Sequence, residues 1–133
     1  FWYLLMLAFA ASGENGATVA AQMAVTGLAG LALYRQLKHR LVRERPYISH
    51  AAIHVGTAPL DRYSFPSGHT LHAVAFTLVA TAHVPQLWIV LAPFALLVAA
   101  SRVVLGLHYP TDVAAGALIG VALAGTCLLV FGV

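Results

Sequence analysis

Long apolar runs alternate with short polar breaks along the whole chain. Phe1 to Ala11 is apolar and stops at Ser12-Gly13-Glu14-Asn15-Gly16, a cluster of breakers that reads as a turn. Ala17 to Leu37 is a second apolar stretch, rich in Ala, Gly and Leu. At ~1.5 Å rise per residue it reaches roughly 30 Å, about one hydrocarbon thickness. Gly27 and Gly30 within it let a neighbouring backbone approach closely, which is how helices pack in lipid. From Lys38 to Pro66 the character turns polar and irregular, with Pro46, Gly56, Pro59 and Pro66, as expected of an aqueous loop. Ser67 to His83 is apolar again after its first residues, Pro85 to Leu105 forms another run, and Pro110 to Val133 the last. The pattern predicts an all-α, multi-pass transmembrane bundle of about five spans, one domain over residues 1–133.

Consecutive spans reverse direction, so the Lys38 to Pro66 loop and the Ser101 to Asp112 junction are expected at one membrane face. The Ser12 to Gly16 turn and the His83 to Gln86 turn are expected at the other. The polar motifs therefore converge on one end of the bundle. Phe1-Trp2-Tyr3 lies inside an apolar run with no initiator Met, which leads us to expect a further helix ahead of it.

Composition sharpens this picture. Hydrophobic residues make up 61% of the 133 residues and charged ones 8%, against about 25% charged in a soluble domain. The mean hydropathy is +0.87, more apolar than a small soluble core can use. Most of the charge lies between Arg35 and Arg62, with a net +3. A basic cluster suits anionic headgroups or a phosphate substrate; nucleic acid is the poorest fit, since the basic residues that bind it sit on soluble domains. Cys127, the lone cysteine, excludes an intramolecular disulfide and a cysteine metal cluster, and reads as lipid-facing or packed filler. Trp2, Trp88 and Tyr109 read as interfacial belt residues.

Three clusters carry chemistry: Lys38 with Arg45-Pro46, then Pro66-Ser67-Gly68-His69, then Ser101-Arg102 followed by His108 and Asp112. Lys38, Arg45 and Arg102 offer three cations to a phosphate ester. Taken alone, Lys38 and Arg45 read more readily as interfacial anchors, since basic residues gather at helix ends. Arg102 lies toward the end of an apolar span, where an ionisable residue is costly and by default functional. Ser67 is the expected N-cap of the next helix, and Gly68 allows backbone to approach a ligand at the positive end of the helix dipole. His69, in the first turn, can donate a proton to a departing group. His108 and Asp112 are spaced to share a helix face, giving an imidazole backed by a carboxylate; a structural His–Asp hydrogen bond fits that pair equally well. His39, His50, His54, His72 and His83 fall outside the clusters and read as surface or packing residues, with His72 of interest one turn beyond His69.

The ordered set resembles the three-part signature of the type 2 phosphatidic acid phosphatase superfamily, over Lys38 to Asp112. The resemblance implies a metal-independent membrane phosphatase without a cofactor. In it His108 is a nucleophile that forms a phosphohistidine, Asp112 orients it, and His69 is acid and then base. Lys38, Arg45, Ser67, Gly68 and Arg102 hold the phosphate. It also implies a fold of roughly six spans, of which this sequence carries about five.

Polyprenyl pyrophosphate, ranked first, phosphatidylglycerol phosphate and phosphatidic acid are the expected substrates. The bilayer is the expected surrounding, and no protein partner is needed. By resemblance to bacterial members the protein is expected in an inner membrane with its site extracytoplasmic. A vanadate-dependent haloperoxidase shares such a site, but those enzymes are soluble and larger. A catalytically silent lipid-phosphate binding or transport protein is the other alternative, and an intact His69, His108 and Asp112 argues against it.

Overall fold

The computed structural model describes residues 1–49 and 62–133. The described chain is helical apart from one isolated antiparallel bridge between Glu44 and Tyr63. Its elements are α1 (Trp2–Ala10), α2 (Glu14–Arg40), the single turn α3 (Pro46–Ser49), α4 (Gly68–His83), α5 (Trp88–Val104), entered through a 3₁₀ turn at Pro85–Leu87, and α6 (Pro110–Phe131).

Each break has a local cause. Between α1 and α2, Gly13 adopts φ 101°, a conformation open to glycine, and the Ser12 hydroxyl donates to the Phe9 carbonyl. Gly16 follows where the hairpin closes, and a Cβ there would run into the Phe9 carbonyl and the Ser12 hydroxyl. Pro110 opens α6, where its missing N–H costs nothing, and the carboxylate of Asp112 in the same turn accepts from the Tyr109 N–H at 2.8 Å.

Among the described residues, three helices are long and apolar enough to cross a membrane: Glu14–Arg40, Pro85–Val104 and Pro110–Phe131. The runs expected as spans at Phe1 to Ala11 and Ser67 to His83 are helices of 9 and 16 residues. Helix α4 is short because it starts only after Pro66 and Ser67, and its place is the centre of the bundle. It packs against α2, α5 and α6, and Leu71, Ala73, Ala75, Phe76, Val79 and Ala80 are buried along it. Meanwhile Ile89, Leu96 and Val104 on α5, and Leu118 and Leu129 on α6, are exposed. Apolar faces turned outward, around an interior that also buries polar Thr26, Thr70 and Thr77, are what lipid, not water, favours.

Glycine sets the closest crossing. A Cβ on Gly116 would lie 2.5 Å from the Ser67 carbonyl oxygen, and one on Gly120 would lie 2.6 Å from that of Leu71. These two glycines and buried Ala124 follow one another at four-residue intervals, a small-residue seam that brings α6 against α4. At Gly30 it is side chains and not a neighbouring backbone that come close: a Cβ there would lie 2.8 Å from Leu71 Cδ2. Cys127 is buried in the bundle with its thiol toward the Gln22 carbonyl at 3.7 Å, the packed alternative of the two expected. Trp2 packs against Phe76 and Phe94.

The two ends of the bundle differ as expected. At one end Gln22 joins His83 Nε2 at 2.7 Å and donates to the Gly132 carbonyl at 3.1 Å. All three motif clusters gather at the other.

Candidate active site

Backbone brings the clusters together before any side chain does. Helix α5 ends with Gly106 at φ 69°, and the N–H groups of Leu107 and His108 both donate to the Arg102 carbonyl at 3.1 Å. That turn ties Arg102 to His108 within the third cluster. The Ser67 N–H donates to the Asp112 carbonyl at 3.0 Å, joining the second cluster to the third. The Ser64 N–H donates to the Arg43 carbonyl at 2.8 Å, joining the approach to the second cluster to the first.

His108 is buried in the loop before α6. Arg45, also buried, donates from Nη1 to the Leu107 carbonyl at 2.9 Å, and the same nitrogen lies 3.5 Å from His108 Nε2. A guanidinium only donates, so the nitrogen facing it is best matched by an unprotonated Nε2, with the ring proton on Nδ1. Nδ1 points toward Asp112 Oδ2 at 3.8 Å, within ion-pair range but longer than a hydrogen bond, and makes no hydrogen bond among the described residues. The carboxylate is held elsewhere: Oδ2 by the Tyr109 N–H, and Oδ1 by Arg43 Nη1 at 2.7 Å. Asp112 is fully buried, so those bonds are what keep a charge tolerable there.

The remaining expected site residues are placed as follows. Lys38 is buried, donates to the Tyr63 carbonyl at 2.8 Å and lies 4.7 Å over the Tyr34 ring. Ser67 caps α4 by position, but its hydroxyl pairs with that of Thr70 at 2.9 Å and makes no side-chain cap. Gly68 lies under Tyr34, where a Cβ would meet the ring at 2.8 Å. Arg102 turns its Nε and Nη2 onto the Ser101 hydroxyl at 3.1 and 3.0 Å. His69 is exposed in the first turn of α4, outside the three long spans. Partial withdrawal from solvent is the main cause that holds its pKa below the ordinary value; the charges of Arg102, His108, His72 and Arg45 add to it. Arg45, Arg102 and both site histidines thus share one electrostatic neighbourhood.

His72 bridges α4 to α2, its ring nitrogens facing the Gly68 carbonyl at 2.8 Å and the Gly27 carbonyl at 3.1 Å. This is a packing role, as expected. His39 is exposed and His83 belongs to the opposite end, while His50 and His54 lie outside the described residues. Among the described residues, no three His, Cys, Asp or Glu side chains are grouped to hold a metal ion.

A family model described as the PAP2 superfamily matches residues 15–132. The chain belongs to the PAP2 superfamily. A PAP2 member of known structure is similar to it over 95% of this chain and 64% of its own, with a TM-score of 0.76 and 25% identity. That protein is a transmembrane PAP2 type phosphatidylglycerolphosphate phosphatase from Bacillus subtilis. The match, with the three long apolar helices, makes this PAP2 chain a multi-pass membrane protein. Among curated relatives, a decaprenylphosphoryl-5-phosphoribose phosphatase of Mycolicibacterium smegmatis is 44% identical over 60% of this chain and 42% of its own length. An undecaprenyl-diphosphatase of Bacillus subtilis is 33% identical over 67% of this chain and 46% of its own. The chain therefore spans less than half the length of these two PAP2 relatives.

Arg43, Thr111 and Gly106 adjoin the candidate site residues and were missed in the sequence. Arg43 stands in the spacer between Lys38 and Arg45, where one more cation among several basic residues carries no signal of its own. Gly106, just past an apolar span and just before His108, is a recognisable helix-stop signal.

Proposed function

We propose that this chain is a lipid phosphate phosphatase that works through a phosphohistidine intermediate. The observation that carries the reading is the setting of His108, with Nε2 beside the Arg45 guanidinium and Nδ1 turned toward the Asp112 carboxylate. An imidazole with its lone pair beside a phosphate-gripping cation and its proton facing a buried carboxylate is disposed to attack phosphorus.

Nε2 of His108 attacks the terminal phosphorus, the P–N bond forms and the P–O bond to the leaving group breaks. His69 gives its proton to the departing oxygen. In the second step His69 takes a proton from water as that water attacks phosphorus, the P–N bond breaks, and inorganic phosphate leaves. Asp112 offsets the positive charge that His108 carries between the steps. Lys38, Arg45 and Arg102, with backbone N–H groups at the start of α4 near Ser67 and Gly68, hold the phosphate and stabilise the charge spread over its oxygens.

The substrate we favour is a polyprenyl pyrophosphate, ahead of phosphatidylglycerol phosphate and phosphatidic acid. Relatives named for undecaprenyl and decaprenylphosphoryl substrates support that order. So does a cavity of about 720 Å³ that begins at Gly68 and His69 and runs past Leu31 and Phe76 to Trp2 and Phe94, an apolar path for a tail. The setting we propose is a bacterial inner membrane with the site on the extracytoplasmic side. An Ser49→Cys variant labelled by an impermeant thiol reagent on intact cells would support that side, and labelling only after permeabilisation would overturn it.

Phosphate release from the three lipids by full-length protein in EDTA, beside His108→Ala and His50→Ala, tests the reaction. Release that survives EDTA and His50→Ala but vanishes in His108→Ala is expected. Release by the wild type that His108→Ala leaves intact would overturn the mechanism. No release from any lipid would point to a binding or transport protein.

A further inference from the structure

Arg43 belongs to none of the expected site positions, yet it grips the first turn of α6 at three points. Its Nη1 donates to Asp112 Oδ1 at 2.7 Å and to the Thr111 hydroxyl at 2.8 Å, and its guanidinium lies 4.0 Å over the Tyr109 ring. The side chain is 40% exposed, while the carboxylate it meets has no exposure. Its own backbone is held in turn, because the Arg43 carbonyl accepts from the Ser64 N–H at 2.8 Å and from the Ser64 hydroxyl at 3.3 Å.

The two oxygens of Asp112 are thereby divided. Arg43 takes Oδ1, so Oδ2 is left to the Tyr109 N–H and to the side on which His108 Nδ1 lies at 3.8 Å. Without the guanidinium, Oδ1 would be a buried acceptor lacking this partner, and the carboxylate could rotate to satisfy it. Such a rotation would turn Oδ2 away from His108. The guanidinium fork suits this task because it is planar and reaches a carboxylate and a hydroxyl from one fixed geometry; a lysine keeps the charge and loses the fork.

We propose that Arg43 is a positioning residue of the site, which sets the Asp112 carboxylate against His108 and locks the first motif to the third. The proposal rests on the reading of His108 as nucleophile and Asp112 as its partner. Arg43 acts through Asp112 and not on the phosphate. Its removal slows the chemical step and leaves phosphate affinity as it was.

The test measures kcat and KM for release of phosphate from a polyprenyl pyrophosphate, and the inhibition constant of inorganic phosphate. It uses detergent-purified full-length wild type, Arg43→Gln, Arg43→Lys and Thr111→Val. Arg43→Gln is expected to lower kcat about 10- to 100-fold, the cost typical of losing a group that orients a reacting residue. KM and phosphate inhibition are expected to stay within about twofold. Arg43→Lys should recover part of kcat, and Thr111→Val should lower it less than Arg43→Gln. An unchanged kcat, or a weakened phosphate inhibition that accounts for the loss, would overturn the positioning role. Should Arg43→Gln fail to fold, Arg43→Lys and Thr111→Val carry the same comparison. Asp112→Asn and His108→Ala in the same assay keep the two readings apart. If neither impairs turnover the phosphohistidine reading fails, whereas if both do and Arg43→Gln does not, only the assignment of Arg43 fails.

Discussion

The guanidinium of Arg45 meets His108 Nε2 at 3.5 Å across 63 positions of sequence, and donates to the carbonyl of the residue before it at 2.9 Å. One buried side chain therefore fixes the loop that carries the imidazole and stands beside the nitrogen proposed to attack phosphorus. Arg45→Ala should cost about 10²- to 10³-fold in kcat, the scale of losing one preorganised donor to a developing anion. It should also weaken competitive inhibition by inorganic phosphate. Steady-state kinetics with the phosphate inhibition constant checks both.

The seam between α4 and α6 leaves no room at Gly116. Gly116→Leu should destabilise the bundle by roughly 1–3 kcal/mol or more, since the carbonyl 2.5 Å from its Cβ cannot move without moving α4. Gly125→Ala is the control, because nothing lies within 4 Å of a Cβ there. Thermal unfolding in detergent should separate the two variants clearly.

Arg102 is among the charges that hold the His69 pKa down, after withdrawal from solvent. Removing a cation makes the imidazolium less costly, so Arg102→Gln should raise the His69 pKa, though not to the ordinary value while its partial withdrawal from solvent remains. The sign follows from like-charge repulsion. Ring NMR of ¹⁵N-histidine-labelled protein against pH would show the upward shift, and a downward shift would contradict the placement of the two groups.

At the opposite end, Gln22 is buried and serves both His83 and the Gly132 carbonyl. Gln22→Ala should lower stability by about 1–3 kcal/mol by leaving those partners unpaired. It should leave kcat within about twofold, because the change is local to the far end of the bundle. A thermal scan beside an activity assay on the same sample checks this pair of outcomes.

Much of this was legible in the sequence. Apolar runs long enough for a bilayer named α2, α5 and α6. The reversal of direction from one helix to the next placed Lys38, Arg45, Ser67, Gly68, His69, Arg102, His108 and Asp112 at one end without a coordinate. Such readings succeed because hydropathy, breakers and chain reversal act locally. They could not show that Ser67 to His83 is the buried centre of the bundle, since an apolar run reads the same whether it faces lipid or other helices.

Tertiary structure decided which partner each polar group takes. Asp112 was expected behind His108 and lies 3.8 Å from its Nδ1, while its oxygens also accept from the Tyr109 N–H and from Arg43. Arg43 was one basic residue among several until the fold laid it over Tyr109 and against a carboxylate 69 positions away. Residue types and spacing along the chain determined that a phosphate chemistry was possible here. The closeness of α4 to α6, permitted by Gly116 and Gly120, decided how the groups were aimed, because hydrogen bonds depend on tenths of an ångström that no spacing in sequence encodes.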